Sequence, residues 1–478
     1  MAGKTRVLRF ALPYGATNPV VVNPELGLDK VVRRGGGHSA ATDVTLLDSA
    51  DHRLLRAGIV LAHRVSEGLG EWFLDAPGWQ PWLPAGMVDQ HGAVDELPEQ
   101  MARLVHPFRR SAPLGPVAAL GRRRTGWLLV DAEGATVARL RDDQITIRRG
   151  GVTTARYREV TVKLEPGATR AQRQHLCDAM LDIGGARVES FPSLPARIGP
   201  PATGLSDFRG PYELGEDSTL EAFVSWLFAR RLDTMMRADL ALRSGESTDM
   251  DLLREQLAGL RGELRSLSFA LEPAWRERVE HEIELVLPTL ASRTIGQLPE
   301  DYFNVIDSLV LGVRAPKLGN LSQHRAVEVL DDQVVLGATL LFDRAHSLTL
   351  SSGDERWAAT LTAARRVVTM AHTAALLGEK RARKLEERLD ESISLLEHCQ
   401  MPPGLDEPHL ELDWDAATAF QEGRRFERGR QERMGWRGRF IETWPEVEKR
   451  LRKLRRKKPE TRGHRNHEHE HEHDRGQQ

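Results

Sequence analysis

The stretch Leu47-Asp48-Ser49-Ala50-Asp51-His52-Arg53-Leu54-Leu55-Arg56-Ala57-Gly58-Ile59 reads as the end of one strand, an acidic turn, a short helix and the entry to another strand. On either side of it, Val44 to Leu47 and Ile59 to Val65 are β-rich. Working outward, Val20-Val21-Val22, Trp72-Phe73-Leu74, Trp127 to Val130, Thr136 to Leu140 and Glu159 to Leu164 are further short β-rich runs, separated by Gly, Asp and Pro. Besides Asp51 to Ala57, one other piece of this half is helical: Arg170 to Ile183, where Leu176, Met180 and Ile183 fall at helical spacing. Short strands with turns between them predict an antiparallel sandwich or barrel over the first 165 or so residues.

From Phe191 to Gly215 the chain is rich in Pro, Gly and Ser and reads as a linker. Beyond it the hydrophobic period changes from two to about 3.6. Leu220 to Leu242, Asp251 to Ala270, Pro273 to Leu290, Tyr302 to Val313, Ala326 to Ser347, Glu355 to Leu377, Glu379 to Cys399 and Trp414 to Lys458 are predicted helices. Helices joined by short loops predict bundles. The fold class is therefore α+β. The last twenty residues, Pro459 to Gln478, have no apolar side chain and alternate His with Glu, so the tail is expected to be disordered.

The chain has 478 residues, room for two or three domains. No run of about 18 apolar residues exists and the basic start, Met1 to Arg9, lacks a secretory apolar stretch, so a cytoplasmic protein without a membrane partner is expected. The two cysteines, Cys177 and Cys399, are far apart and lack metal-ligand spacing. Net charge is −2, but arginines cluster at Arg122–Arg124, at Arg365–Arg366 and from Arg424 onward. Their planar forks suit phosphate oxygens, which makes a polyanion the partner to test; nucleic acid stays open but is not favoured.

Two stretches resemble the CYTH (triphosphate-tunnel) family. One is Leu47 to Ile59; the other runs from Arg123 through Asp131-Ala132-Glu133-Gly134 to Asp142-Asp143. The resemblance implies an antiparallel β-tunnel over residues 1–200, whose inward Arg and Lys hold phosphates and whose Glu residues hold a divalent metal. In this sequence the first-strand carboxylates fall on Thr5 and Val7, with the cation kept as Arg9. Arg139 stands for an inward Glu, and Thr161 and Lys163 for a later carboxylate. Asp75 and Leu194 replace lysines. The expectation is a tunnel with cations and without carboxylates, holding phosphate through Arg9, Arg56, Arg64, Arg123, Arg124, Arg139 and Lys163, with no catalytic residue, metal or cofactor.

The second half resembles the CHAD domain through Ala419-Phe420-Gln421-Glu422-Gly423-Arg424-Arg425-Phe426-Glu427-Arg428-Gly429-Arg430-Gln431-Glu432-Arg433, followed by Phe440 and Trp444. That implies two pseudo-repeated four-helix bundles over residues 218–458, after a linker at 201–217, and association with polyphosphate granules. Asp251 and Ala358 stand where the repeats usually open with His. The arginines that match are Arg254, Arg261, Arg265, Arg365, Arg366, Arg430 and Arg433, the expected polyphosphate-binding set. Trp226, Trp357, Trp414 and Trp444 sit at apolar helical positions and are read as core. The sequence thus predicts non-catalytic binding of inorganic polyphosphate or a similar polyanion. A CYTH-type metal-dependent triphosphatase and a structural or interaction protein are the alternatives. Acidic side chains lining the tunnel favour the enzyme; arginines pointing outward favour the scaffold.

Overall fold

The computed structural model describes residues 6–35, 39–84, 86, 88–210, 212–215, 217–290, 298–378, 380–400 and 415–455. Thr5, Trp414, the last residues of the basic segment at 456–458 and the His/Glu tail lie outside the described residues.

The strands are β1 (Arg6–Leu12), β2 (Lys30–Arg34), β3 (Ala41–Asp48), β4 (Val60–Ser66), β5 (Leu69–Asp75), β6 (Val88–His91), β7 (Gly115–Val130), β8 (Thr136–Arg149), β9 (Val152–Leu164) and β10 (Ala186–Val188). They form one sheet in the order β10-β1-β9-β8-β7-β3-β4-β5-β6, with β2 also on β7. Every pairing is antiparallel. The antiparallel sheet and the α+β class are as expected from the sequence. Among the described residues the two ends of this path are not paired to each other.

Three strands are much longer than the sequence predicts: β7, β8 and β9 have 16, 14 and 13 residues. Their middles carry Arg122, Arg124, Arg141, Asp143 and Glu159, which interrupt the apolar signal while the backbone continues. Gly150 and Gly151, both with positive φ (53° and 82°), close the β8–β9 hairpin. Two consecutive left-handed residues suit the tight turn that matches strand twist.

The quoted stretch folds as read. Asp48 ends β3, and its carboxylate accepts N–H bonds from Ser49 (2.7 Å), Leu54 (2.9 Å) and Leu55 (2.9 Å). That satisfies the start of α1 (Arg53–Arg56). α2 (Glu99–Arg109) was not predicted; α3 (Arg170–Leu181) was, and a Thr169–Gln172 capping box starts it. α4 (Leu194–Ile198) lies within the proline-rich stretch. One sheet face packs on α3: Leu8, Phe10, Leu12, Leu129, Leu140, Val160 and Val162 meet Leu176 and Met180.

Eight further helices follow among the described residues, close to the predicted places: α5 (Leu220–Ser244), α6 (Asp251–Ser266), α7 (Pro273–Thr289), α8 (Glu300–Arg314), α9 (Ala326–His346), α10 (Asp354–Ala375), α11 (Lys380–His398) and α12 (Ala416–Arg455).

The chain forms two compact units, one of Met1–Tyr212, Val224–Leu260 and Glu277–Pro316, the other of Glu213–Phe223, Arg261–Arg276 and Lys317–Gln478. In the first, Asp207 is buried and takes Arg56 (3.0 Å), Arg110 (2.7 Å) and Arg314, while Arg110 also pairs with Asp307 (2.6 Å). In the second, Arg433 and Arg437 of α12 pair with Asp354 at the start of α10 (3.0 and 2.5 Å). Trp357 and Trp444 are core as predicted, whereas Trp226 is half-buried. No described helix is long and apolar enough to cross a membrane.

Candidate anion-binding cavity

Side chains alternate across a strand, so residues of one parity share a face. On β7 the apolar Trp127 and Leu129 fall on the face that packs on α3. Leu120, Arg122 and Arg124 therefore point the other way, and they line cavities there. One cavity, about 470 Å³, is bounded by Thr42, Arg64, Ser66, Glu71, His91, Arg122 and Arg124. A second, about 390 Å³, is bounded by Val44, Leu46, Val60, Phe73, Leu120 and Ile145 of the strands and by Pro192, Leu194 and Arg197 of the α4 segment. Arg64 and Arg122 belong to both.

Three of the four cavity arginines make ion pairs. Arg64 holds Glu71 at 2.6 Å, Arg124 holds Asp143 at 2.7 Å, and Arg197 pairs with Glu159. Arg141 adds a second cation to Asp143, at 3.0 Å. Arg122 makes no ion pair among the described residues, and its Nε is buried without a hydrogen-bond partner. Burial, reinforced by the neighbouring Arg124, lowers the Arg122 pKa from its ordinary value. Asp143 offsets part of this, but a half-buried guanidinium without an ion pair attracts an anion. Burial likewise raises the pKa of Glu159, although Arg197 opposes it.

The expectation of a face without carboxylates is overturned. Glu71 and Asp75 line the cavities, and Asp143 and Glu159 lie on the same face through their cross-strand register with Arg124. Glu159 stands one inward position from Thr161, where no acid was expected. Among the described residues, no three His, Cys, Asp or Glu side chains converge where a metal ion would sit.

The predicted tunnel residues divide into four groups. Arg64 and Arg124 line the cavity. Arg9, Arg139 and Lys163 share its face on β1, β8 and β9, where Arg139 is in register with Lys163 and pairs with Glu165 at 2.7 Å. Arg123 is exposed on the opposite face. Arg56 is drawn away into the ion pairs with Asp207 and, at 3.5 Å, Asp51. The sequence reading missed Arg122 and Arg197. The Trp127 and Leu129 parity was enough to select Arg122 over Arg123; nothing local to α4 marks Arg197.

The predicted helical arginines are mostly occupied. Arg254 pairs with Asp251, Arg365 with Glu397 at 2.7 Å, and Arg430 with Glu427 at 2.8 Å. Arg366 reaches Ser268 at 3.5 Å. Arg254, Arg261 and Arg265 follow one another along α6, but the first belongs to one compact unit and the other two to the second. Arg433 is buried and holds α12 on α10, so it is not presented on a surface.

No family model matches the sequence and no curated protein matches it. Similar solved structures include that of a proposed adenylate cyclase from Bacillus halodurans, 14% identical over 34% of this chain and 83% of that one, with a TM-score of 0.18. Another is a proposed adenylyl cyclase from Hippeastrum described as having a dominant triphosphatase activity, 13% identical over 40% of this chain and 92% of that one, with a TM-score of 0.20.

Proposed function

We propose that this chain binds inorganic polyphosphate or a shorter oligophosphate in the arginine-lined cavity of its sheet, without hydrolysing it. The observation that carries this reading is Arg122, a guanidinium with no ion pair among the described residues and a buried, unpartnered Nε, flanked by Arg64 and Arg124. The resemblance of the Leu47–Ile59 and Arg123–Asp143 stretches to the triphosphate-tunnel family supports the same ligand class. Three of the four carboxylates on this face neutralise arginines rather than standing open as metal ligands: Glu71 faces Arg64, Asp143 faces Arg124 and Arg141, and Glu159 faces Arg197. The fourth, Asp75, borders the second lobe without an ion pair among the described residues, and a single carboxylate is too few to hold a divalent ion. On this reading the chain is a cytoplasmic binder that gathers where polyphosphate accumulates.

Calorimetric titration with tripolyphosphate tests it. Arg122→Gln is expected to lose at least about tenfold in affinity, the equivalent of one charge-assisted hydrogen bond. A second reading, metal-dependent hydrolysis, is favoured by the inward position of Glu71 and Asp143. Phosphate release from tripolyphosphate that requires Mg²⁺ or Mn²⁺ and disappears in Arg122→Gln would replace binding with catalysis; no release is expected.

A further inference from the structure

The face that carries the cavity changes character along each strand. On β7 the inward residues run Arg124, Arg122, Leu120, Ala118; on β4 they run Ser66, Arg64, Ala62, Val60. On β3 they run Thr42, Val44, Leu46. The polar end is the lobe with Thr42, Ser66 and His91. The other end is a sealed apolar cluster in which Leu46, Ala62, Phe73, Ala118 and Ile147 of the sheet bury against Leu55 of α1, Ile198 of α4 and Ala202. Ala62 and Ile147 have no exposed surface, and Ile198 keeps 6%. Pro192 and Leu194 cover the second lobe from above, and Arg197 fixes that cover by its pair with Glu159 and a bond to the Pro192 carbonyl (2.9 Å).

We infer that the cavity is closed at this end and therefore receives the terminus of an oligophosphate chain, not its interior. The inference rests on the anion-binding reading above and adds what part of the ligand is recognised. A chain threaded through would have to place charged phosphates among Ala62, Phe73, Ala118 and Ile198, an apolar cluster past the level of Arg64 and Arg122, where the one further lining cation among the described residues, Arg197, is already held by Glu159; burying an unpaired charge there is prohibitive. The charge pattern fits an end group as well. An internal phosphate of a linear chain carries one negative charge. A terminal one has a second ionisable oxygen with pKa near 6 and carries about −1.5 to −2 at pH 7. Arg64 and Arg122, the two guanidiniums that border both lobes, stand at the deepest cationic level and oppose that extra charge, with Arg64 ion-paired to Glu71 and Arg122 offset only at longer range by Asp143.

The test compares three probes on the full chain by titration calorimetry at pH 7.5: linear tripolyphosphate, cyclic trimetaphosphate and long-chain polyphosphate. Trimetaphosphate has the same number of phosphorus atoms as tripolyphosphate and no terminus. It is expected to bind roughly tenfold or more weakly, the loss of one charge-assisted contact. Long-chain polyphosphate is expected to saturate the protein in proportion to chain ends, not phosphate content. Arg122→Gln, checked for an unchanged circular dichroism spectrum, is expected to abolish the preference for the linear form. Equal binding of the linear and cyclic forms, or saturation per phosphate residue, overturns terminus recognition and leaves anion binding standing. Binding of neither small probe overturns both. A linear preference that survives in Arg122→Gln also overturns the inference, because the discriminating site then lies elsewhere.

Discussion

Asp48 illustrates how much one side chain holds in place. Its two oxygens take three backbone N–H groups at the point where β3 turns into α1, and burial, outweighing those bonds, raises its pKa from the ordinary value. Asp48→Asn turns one acceptor into a donor facing an N–H. It is expected to cost about 1–3 kcal/mol in denaturant unfolding. His106 gives a sharper signature. It stacks on Phe303 at 4.4 Å, and burial first, then Arg109 and Arg243, lowers its pKa to about 4 from 6.5. Between these values the unfolded chain binds the proton and the folded chain does not, so stability must fall as pH drops through that window. The loss, on the order of 2–3 kcal/mol once the partial exposure of the ring is allowed for, is mostly incurred by pH 4 and levels off below it. His106→Phe, which keeps the stack, should flatten the pH dependence of the melting temperature between 6.5 and 4; an unchanged slope would assign it to other groups. At this scale the sequence was partly readable. Arg64 and Arg124 were identified, and strand parity could have chosen Arg122. Arg56 and Arg433 could not be excluded from the site by sequence, because their partners Asp207 and Asp354 lie 151 and 79 residues away.

Among the elements, the long helices were the most legible, since most bury a continuous 3.6-period stripe; α12 does so only in its second half, from Arg433 onward. α2 carried the same signal in miniature: Met101, Leu104, Val105 and Phe108 are all buried at helical spacing. Its shortness among strand-like runs concealed it. The central strands were under-read for the opposite reason, because polar side chains facing a cavity look like turns. α12 shows how an element is secured. Arg437 is 4% exposed and donates to Asp354 and the Cys399 carbonyl (3.3 Å), beside Trp357 and the stacked pair of Phe440 and Trp444. The Arg437 and Arg433 bonds lower the Asp354 pKa from its ordinary value. Because a depressed carboxylate pKa contributes stability only while the group is ionised, this contact is present above about pH 4 and weakens as pH falls through the lowered value. Arg437→Ala should destabilise by about 1–3 kcal/mol, since Asp354 stays half exposed and can rehydrate.

Over the molecule as a whole the charges nearly cancel, at 67 basic and 69 acidic residues, so no global field draws anions in. Recognition confined to a cavity with Arg64, Arg122 and Arg124 releases few counterions. A plot of log affinity for tripolyphosphate against log salt should then have a slope of about −2, by analogy with single-stranded nucleic acid. A much steeper slope would point instead to helical arginines such as Arg261, Arg265, Arg365 and Arg366 as the contacts. The knot at Asp207 has a consequence for anyone cutting the gene. A fragment ending near residue 200 keeps Arg56 and Arg110 but discards the carboxylate they share, and it also loses Asp307. Arg110 already holds a left-handed backbone (φ 55°), which its surroundings must enforce. Cut there, the sheet would carry stranded buried cations into solution and is expected to aggregate; a piece carried through Pro316 keeps every partner of that knot. The strands are therefore not a portable module, and because the two compact units alternate along the sequence, no single cut divides the chain between them.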